Sequence, residues 1–327
     1  MSGTEDQALL YQVASMYYEQ DLTQEQIGAD LHLTRWKVGR LLAEARQAGI
    51  VRIQVVHPKS RVRNLEERLR DVFGLRDAVV VARGRTEDEE ALRARVAEAG
   101  ADYLARLRPS PRLLGVSWGR TLDLLARGLN PGWTHGVHVV QINGGLSSSR
   151  RPSSAQDMAS RIAHLGEGTL TVLPAPAIVE QETTRRVLEQ DSAVADVLAQ
   201  AAEADTVLFS PGAIGADSVL VGSGYLTAQD VERLAGAGAV GDVAGRFIGA
   251  HGQLIDQALD DRTLGLSLDE LRRRPVSVAV ASGTAKHTVC AAVVTSGLCN
   301  TLITDDHTAS HLLNPASCER LTRRERP

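Results

Sequence analysis

From residue 78 to residue 304 the chain repeats one pattern: a short, mostly apolar run, a loop with glycine or serine, then a stretch with helical spacing. The runs are Ala78–Ala82, Leu113–Ser117, Val137–Ile142, Thr169–Leu173, Thr206–Ser210, Val276–Ala281 and Thr301–Thr304. Helical spacing marks Glu87–Leu107, Thr121–Leu129, Thr184–Gln200 and Ala285–Ser296. A strand without polar alternation is covered on both faces, and strands joined through helices lie parallel. The expected class is therefore α/β, with a Rossmann-like parallel sheet, and ligands on such sheets bind at the carboxyl ends of the strands. An apolar content of 43% is enough for a core of that size.

The first 57 residues read differently. Three helical patterns follow one another with tight breaks, the first over about Asp6–Tyr18. Thr23-Gln24-Glu25-Gln26 has the form of a capping box, which starts a second helix. Thr34 suits the N-cap of a third, in which Val38, Leu41, Leu42 and Ala45 form an apolar stripe. Trp36, Arg40 and Gln47 fall on the opposite side, flanked by Lys37 and Gly39. From Arg35 to Arg52 there are five basic residues and one acidic, a balance of +4 in a chain whose net charge is −4. The alternation Ile50–Val55 predicts a short wing strand. Together these describe a winged helix-turn-helix, with operator double-stranded DNA as partner. Candidate DNA contacts are Thr23, Gln24, Thr34, Arg35, Trp36, Lys37 and Arg40. Trp36 could meet a thymine methyl or a sugar, or fold back against the first helix.

The expected division is a DNA-binding domain at 1–57 and an effector and oligomerisation domain at 58–327. After Pro58, Val62, Leu65, Leu69 and Val72-Phe73 recur at helical spacing as far as Gly74. That helix is either a linker that packs on a partner or on the second domain, or an ordinary first helix of the large domain.

Several loops of the large domain follow strand ends. Gly115–Thr121 joins a strand to a helix, so Gly119, Arg120 and Thr121 could cradle an anion, although the G-K-[ST] of a Walker loop is missing. Gln141, Asn143, Gly144 and Gly145 offer amides and flexible backbone for hydroxyl groups. Gly212 follows another strand, and Asp242 offers a carboxylate. Lys286, near the start of a helix after Ser282-Gly283, places a cation against the helix dipole, which an anionic ligand would offset.

Other classes find little support. The three cysteines, Cys290, Cys299 and Cys318, have no metal or redox spacing, and no cofactor is expected. The N-terminus lacks the features of a signal peptide, and no apolar stretch reaches the roughly 18 residues of a membrane helix. A cytoplasmic protein without a membrane partner is expected.

These residues, taken in order, resemble the SorC family of regulators. The resemblance rests on Met16-Tyr17-Tyr18, Leu22-Thr23-Gln24, Ile27, Thr34-Arg35 and Lys37–Leu42 in the N-terminal part. In the large part it rests on Gly115–Thr121, Val140-Gln141 with Gly144-Gly145, and Ala239–Asp242 with Gly245-Arg246-Phe247. Ser282-Gly283 with Lys286, and Leu302–Asp305 with Thr308-Ala309, complete it. The resemblance implies a fold related to ribose-5-phosphate isomerase and glucosamine-6-phosphate deaminase, without catalysis. It implies a phosphorylated sugar or polyol effector, its phosphate held by Gly119-Arg120-Thr121 and Lys286, and a homodimer or homotetramer on DNA. Asn143 departs from the family, where lysine or arginine can stand; an amide forms no Schiff base and brings no charge to a second phosphate. The competing reading is a sugar-phosphate isomerase or deaminase with an appended DNA-binding domain, in which Asp242, Lys286 and His287 would supply acid and base.

Overall fold

The computed structural model describes residues 3–18, 20, 22–48, 50–51, 61–84, 88–146, 155–215 and 217–314. The chain divides into two compact units, residues 1–57 and 58–327.

The small unit holds α1 (Gly3–Tyr18), α2 (Gln24–Asp30) and α3 (Arg35–Gln47). Thr23 caps α2 and forms the complete capping box with Gln26. Thr34 caps α3, its hydroxyl accepting from the Lys37 N–H at 3.3 Å. Val13, Ile27, Val38 and Ala45 are fully buried between the three helices. A four-residue turn separates α2 from α3, and Gly28 allows it: a Cβ there would lie 2.6 Å from the Leu33 carbonyl oxygen. This is the helix-turn-helix arrangement. Of the expected wing strand, only Ile50 and Val51 are among the described residues, where they form a bend; the rest lies outside them. Removing the α3 cap with Thr34→Ala should lower the stability of this unit by about 1 kcal/mol, read as an earlier urea midpoint by circular dichroism.

The large unit opens with α4 (Arg63–Phe73) and β1 (Asp77–Val81), followed by α5 (Glu89–Arg106), β2 (Leu113–Val116) and α6 (Arg120–Gly128). Next come β3 (His138–Gln141), α7 (Ala155–Leu165), β4 (Thr169–Thr171), α8 (Glu182–Gln190), α9 (Ser192–Ala202) and β5 (Thr206–Phe209). A smaller insertion holds β6 (Gly212–Ala213), α10 (Val219–Gly222), α11 (Ala228–Gly236), β7 (Gly241–Val243), β8 (Arg246–Ile248), α12 (Gln257–Asp260) and α13 (Leu268–Arg272). The chain then runs through β9 (Val276–Val280), α14 (His287–Thr295), β10 (Thr301–Asp305) and α15 (Asp306–Leu312).

Seven strands form one parallel sheet in the order β1-β10-β9-β5-β2-β3-β4. Alternate residues face opposite layers, as the period of a strand requires. Val79 and Val81 join the layer of α5, α6 and α7, while Ala78 and Val80 join that of α4, α9, α14 and α15. α4 is therefore an ordinary helix of the large unit, with Leu69 fully buried. Its buried Glu66 closes the outer edge of β1. The carboxylate accepts from the Val80 N–H at 2.9 Å and from Arg61 at 2.7 Å, while Arg61 also donates to the Ala78 carbonyl. An edge closed in this way has few free groups with which to recruit another strand.

Three expectations are corrected. The single helix over Thr184–Gln200 is two, α8 and α9, because Asp191 turns extended and caps α9 through the Ala193 N–H. The loop at Ala239–Asp242 contains β7, which pairs with β6 and β8 in a three-stranded antiparallel sheet. The helix expected from Ala285 begins as a 3₁₀ turn, Thr284–Lys286, which places Lys286 at the N-cap of α14.

Candidate functional site

The order of the large sheet reverses direction between β2 and β5: the chain leaves β2 for β3 on one side, and β5 for β9 on the other. At such a point the loops part and leave a crevice beyond the carboxyl ends of the strands. A cavity of about 330 Å³ lies there, walled by the loops after β2, β5 and β9 and by the β6–β7 pair. It brings together Gly119, Arg120, Thr121, Gly212, Asp242 and Lys286. A larger hollow of about 410 Å³ lies along β1 and α5. It takes in Arg61 and Asp77 beside the closed sheet edge and gathers none of these loops.

Each wall has a local cause. Gly119 is the N-cap of α6 with φ 152° and ψ 159°, a backbone left to glycine, and it brings no capping side chain. The N–H groups of the first turn of α6 are therefore left for an external acceptor, beside the buried Thr121 hydroxyl. Gly212 faces Asp242 across the small sheet. A Cβ at Gly212 would lie 2.0 Å from Asp242 Oδ1, so only glycine leaves room for the carboxylate. On the β9 side, the buried Asp305 accepts from the Gly283 N–H at 2.9 Å, from the Thr308 N–H at 2.8 Å and from the Thr308 hydroxyl at 2.7 Å. It thereby anchors the loop that carries Lys286.

The charges in the cavity are strained by lost hydration. The Lys286 ammonium donates to Ser210 Oγ at 3.0 Å. Some of its side chain keeps surface exposure, but protein crowds the charged end, and burial lowers its pKa to about 8. The neighbouring cations Arg93 and Arg120 push the same way. Burial raises Asp242 to about 6, against the stabilising Gly245 N–H and the nearby Lys286. Arg120 pairs at 3.7 Å with Asp217, whose side chain is 85% exposed, and Arg93 pairs with the exposed Glu90. An exposed pair such as Arg120–Asp217 is weak and readily exchanged for another anion.

A carboxyl group raised in the folded state holds its proton there between pH 3.8 and about 6. Its contribution to stability falls as pH rises through that window, and the full cost of the buried charge is present above it. Asp242→Asn should therefore stabilise the ligand-free protein at pH 7.5 by on the order of 2 kcal/mol. The gain should fade towards pH 4; equal gains in Tm at pH 7.5 and pH 4.5 would contradict this origin.

The other four candidate residues lie outside this lining. Gln141 Oε1 accepts from the Leu173 N–H at 3.1 Å. Asn143 is buried, its Nδ2 3.5 Å from the Ala244 carbonyl and its Oδ1 without a hydrogen-bond partner in the structure. The Gly144 carbonyl accepts from the Trp118 indole at 2.9 Å, and the Gly145 carbonyl from the Tyr225 hydroxyl at 2.9 Å. Trp118 lines the cavity on this side. The cavity also gathers Arg93, Ser117, Ser210 and Ser282, which the expected effector contacts do not include. Ser117 and Ser210 end two of the apolar runs and Ser282 follows a third, a signal visible in the sequence; Arg93 arrives through the packing of α5 and has no local mark.

In the small unit, Trp36 is 90% exposed. Arg35 lies 3.6 Å from Glu25 and Arg40 3.3 Å from Glu44, all four side chains well exposed. Gln24 lies against Gly39, where a Cβ would sit 3.4 Å from its Oε1. The Thr23 and Thr34 side chains serve as helix caps.

A family model described as "Putative sugar-binding domain" matches residues 57–314. The deoxyribonucleoside regulator of Bacillus subtilis is 32% identical over 310 residues, covering 95% of this chain and 98% of that protein. The chain belongs to the SorC family of transcription regulators. The sorbitol operon regulator of Klebsiella pneumoniae is 28% identical to this SorC-family chain, over 96% of it and the whole of that protein. The crystal structure of full-length SorC from that organism superposes with a TM-score of 0.71 at 26% identity, over 94% of this chain and 99% of that one. These relatives are regulators, which places this SorC-family chain with them and not among the isomerases and deaminases. Among the described residues, no helix is long and apolar enough to cross a membrane.

Proposed function

We propose that this chain regulates a carbohydrate or polyol catabolic operon by binding operator DNA through α2 and α3, under the control of a small phosphorylated sugar or polyol. The effector occupies the cavity between β2, β5 and β9. Its phosphate meets the first turn of α6 at Gly119, Arg120 and Thr121, together with Lys286. Asp242 accepts from hydroxyl groups. Thr23, Gln24, Thr34, Arg35, Trp36, Lys37 and Arg40 form the DNA-facing surface, and the protein works in the cytoplasm as a homodimer or homotetramer. The domain roles follow the division at residues 57 and 58.

The observation that carries this reading is the Lys286 ammonium, crowded by protein and hydrogen-bonded to Ser210 Oγ. With Arg93 and Arg120 nearby, an anion offsets its lost hydration. Relatives named for sorbitol and erythritol support the ligand class. The test is a thermal-shift screen of the full-length protein with matched phosphorylated and free sugars and polyols. Stabilisation by a phosphorylated member, and not by its free counterpart, is the expected result. Equal shifts with both would contradict the phosphate requirement.

A further inference from the structure

We infer that the Trp36 indole reads the 5-methyl group of a thymine in the major groove, and so determines part of the operator sequence. The inference deepens the DNA-binding reading and rests on it. Trp36 is the second residue of α3 and exposes 90% of its surface, more than Tyr11 at 62%. Val38 and Ala45, on the opposite side of α3, are fully buried. The period of the helix therefore turns the indole away from the core. Arg40 follows Trp36 by one turn on the same face, and its guanidinium lies 3.3 Å from the half-exposed Glu44.

In a helix-turn-helix, the first turns of the second helix meet base edges. Arg35, Lys37 and Arg40 around the indole complement the phosphates that flank a groove. The edges of bases in that groove are read mainly through hydrogen-bonding groups, and the one methyl group among them is that of thymine. An indole has a single N–H donor and no acceptor. Pressed on polar edges, it would strip them of water without replacing their bonds. Over a methyl group, it removes apolar surface from water on both sides.

The test uses full-length wild-type protein and Trp36→Ala, each applied to a pool of random duplexes from which bound sequences are selected. The exposure of Trp36 predicts equal melting temperatures for the two proteins. Wild-type protein should select a thymine that the variant does not, with the remaining preferences shared. Replacing that thymine by deoxyuridine, which removes only the methyl, should weaken wild-type binding about fourfold per methyl. The variant should bind both duplexes alike. Equal wild-type affinity for the two duplexes, or the same ratio in the variant, overturns the inference while leaving the regulator reading intact. Failure of wild-type protein to select any duplex, at low salt, overturns the DNA-binding reading and this inference with it.

Discussion

Asp305→Ala is expected to lower the melting temperature of the protein by about 10 °C. Asp305 is fully buried and accepts three hydrogen bonds, two of them from backbone N–H groups. Loss of a helix cap costs about 1 kcal/mol. Each bond to a charged acceptor is worth about 1.5–3 kcal/mol, and the donors left behind lose water as well as partner. A total of about 3–5 kcal/mol corresponds to about 2–4 °C per kcal/mol for a domain of this size. The loss reaches beyond stability, because the Gly283 N–H ties the Lys286 loop to β10. Effector affinity should fall in the folded fraction too, as measured by isothermal titration below the new transition. A drop of less than about 1 kcal/mol would mean that the surrounding chain closes over the gap.

Lys286→Met is expected to do two opposite things. Without ligand, the variant should be more stable than wild type at pH 7. A lysine whose pKa is lowered from 10.5 to about 8 favours its neutral form in the fold. Between those values the unfolded chain binds more protons, so the Lys286 contribution rises with pH there and is least favourable below pH 8. The methionine removes that cost, on the order of 2 kcal/mol at neutral pH. With a phosphorylated effector the sign reverses. Removing one partner of a buried charge pair costs about 2–5 kcal/mol, so affinity should drop by on the order of 100-fold or more. A thermal-shift series against ligand concentration reads both effects in one experiment. A variant that is less stable without ligand yet binds normally would show Lys286 to be a structural residue.

What could be read from the sequence follows physical scale. The seven strands of the main sheet announce themselves because a strand covered on both faces is predominantly apolar, as Leu113–Val116 is. β6 and β7 carry two and three residues, and each contains glycine. They are strands because Gly212 and Asp242 pair across the fold, which no local pattern encodes. The break between α8 and α9 is a single residue, Asp191, too short to interrupt helical spacing visibly.

The site divides in the same way. Gly119-Arg120-Thr121 and Ser282–Lys286 stand directly after strands, so position along the chain indicates position in the cavity. The same rule drew in Gln141, Asn143, Gly144 and Gly145 after β3. But β3 lies on the far side of β2 from the reversal of strand order, with Trp118 between. Only strand order separates these two groups of loops, and strand order is settled by contacts between distant parts of the chain. The helix-turn-helix was legible almost entirely, since caps, turn and apolar stripe are all local.

The account depends on coupling between an anion in the cavity and the grip of α3 on DNA. Fluorescence anisotropy should be measured on a selected duplex at fixed salt, with and without saturating amounts of a sugar phosphate that stabilises the protein, for wild type and Lys286→Met. A wild-type affinity that shifts by about fivefold or more, with no shift in the variant, is the predicted result. A ligand that binds the wild-type cavity and leaves DNA affinity unchanged would contradict it.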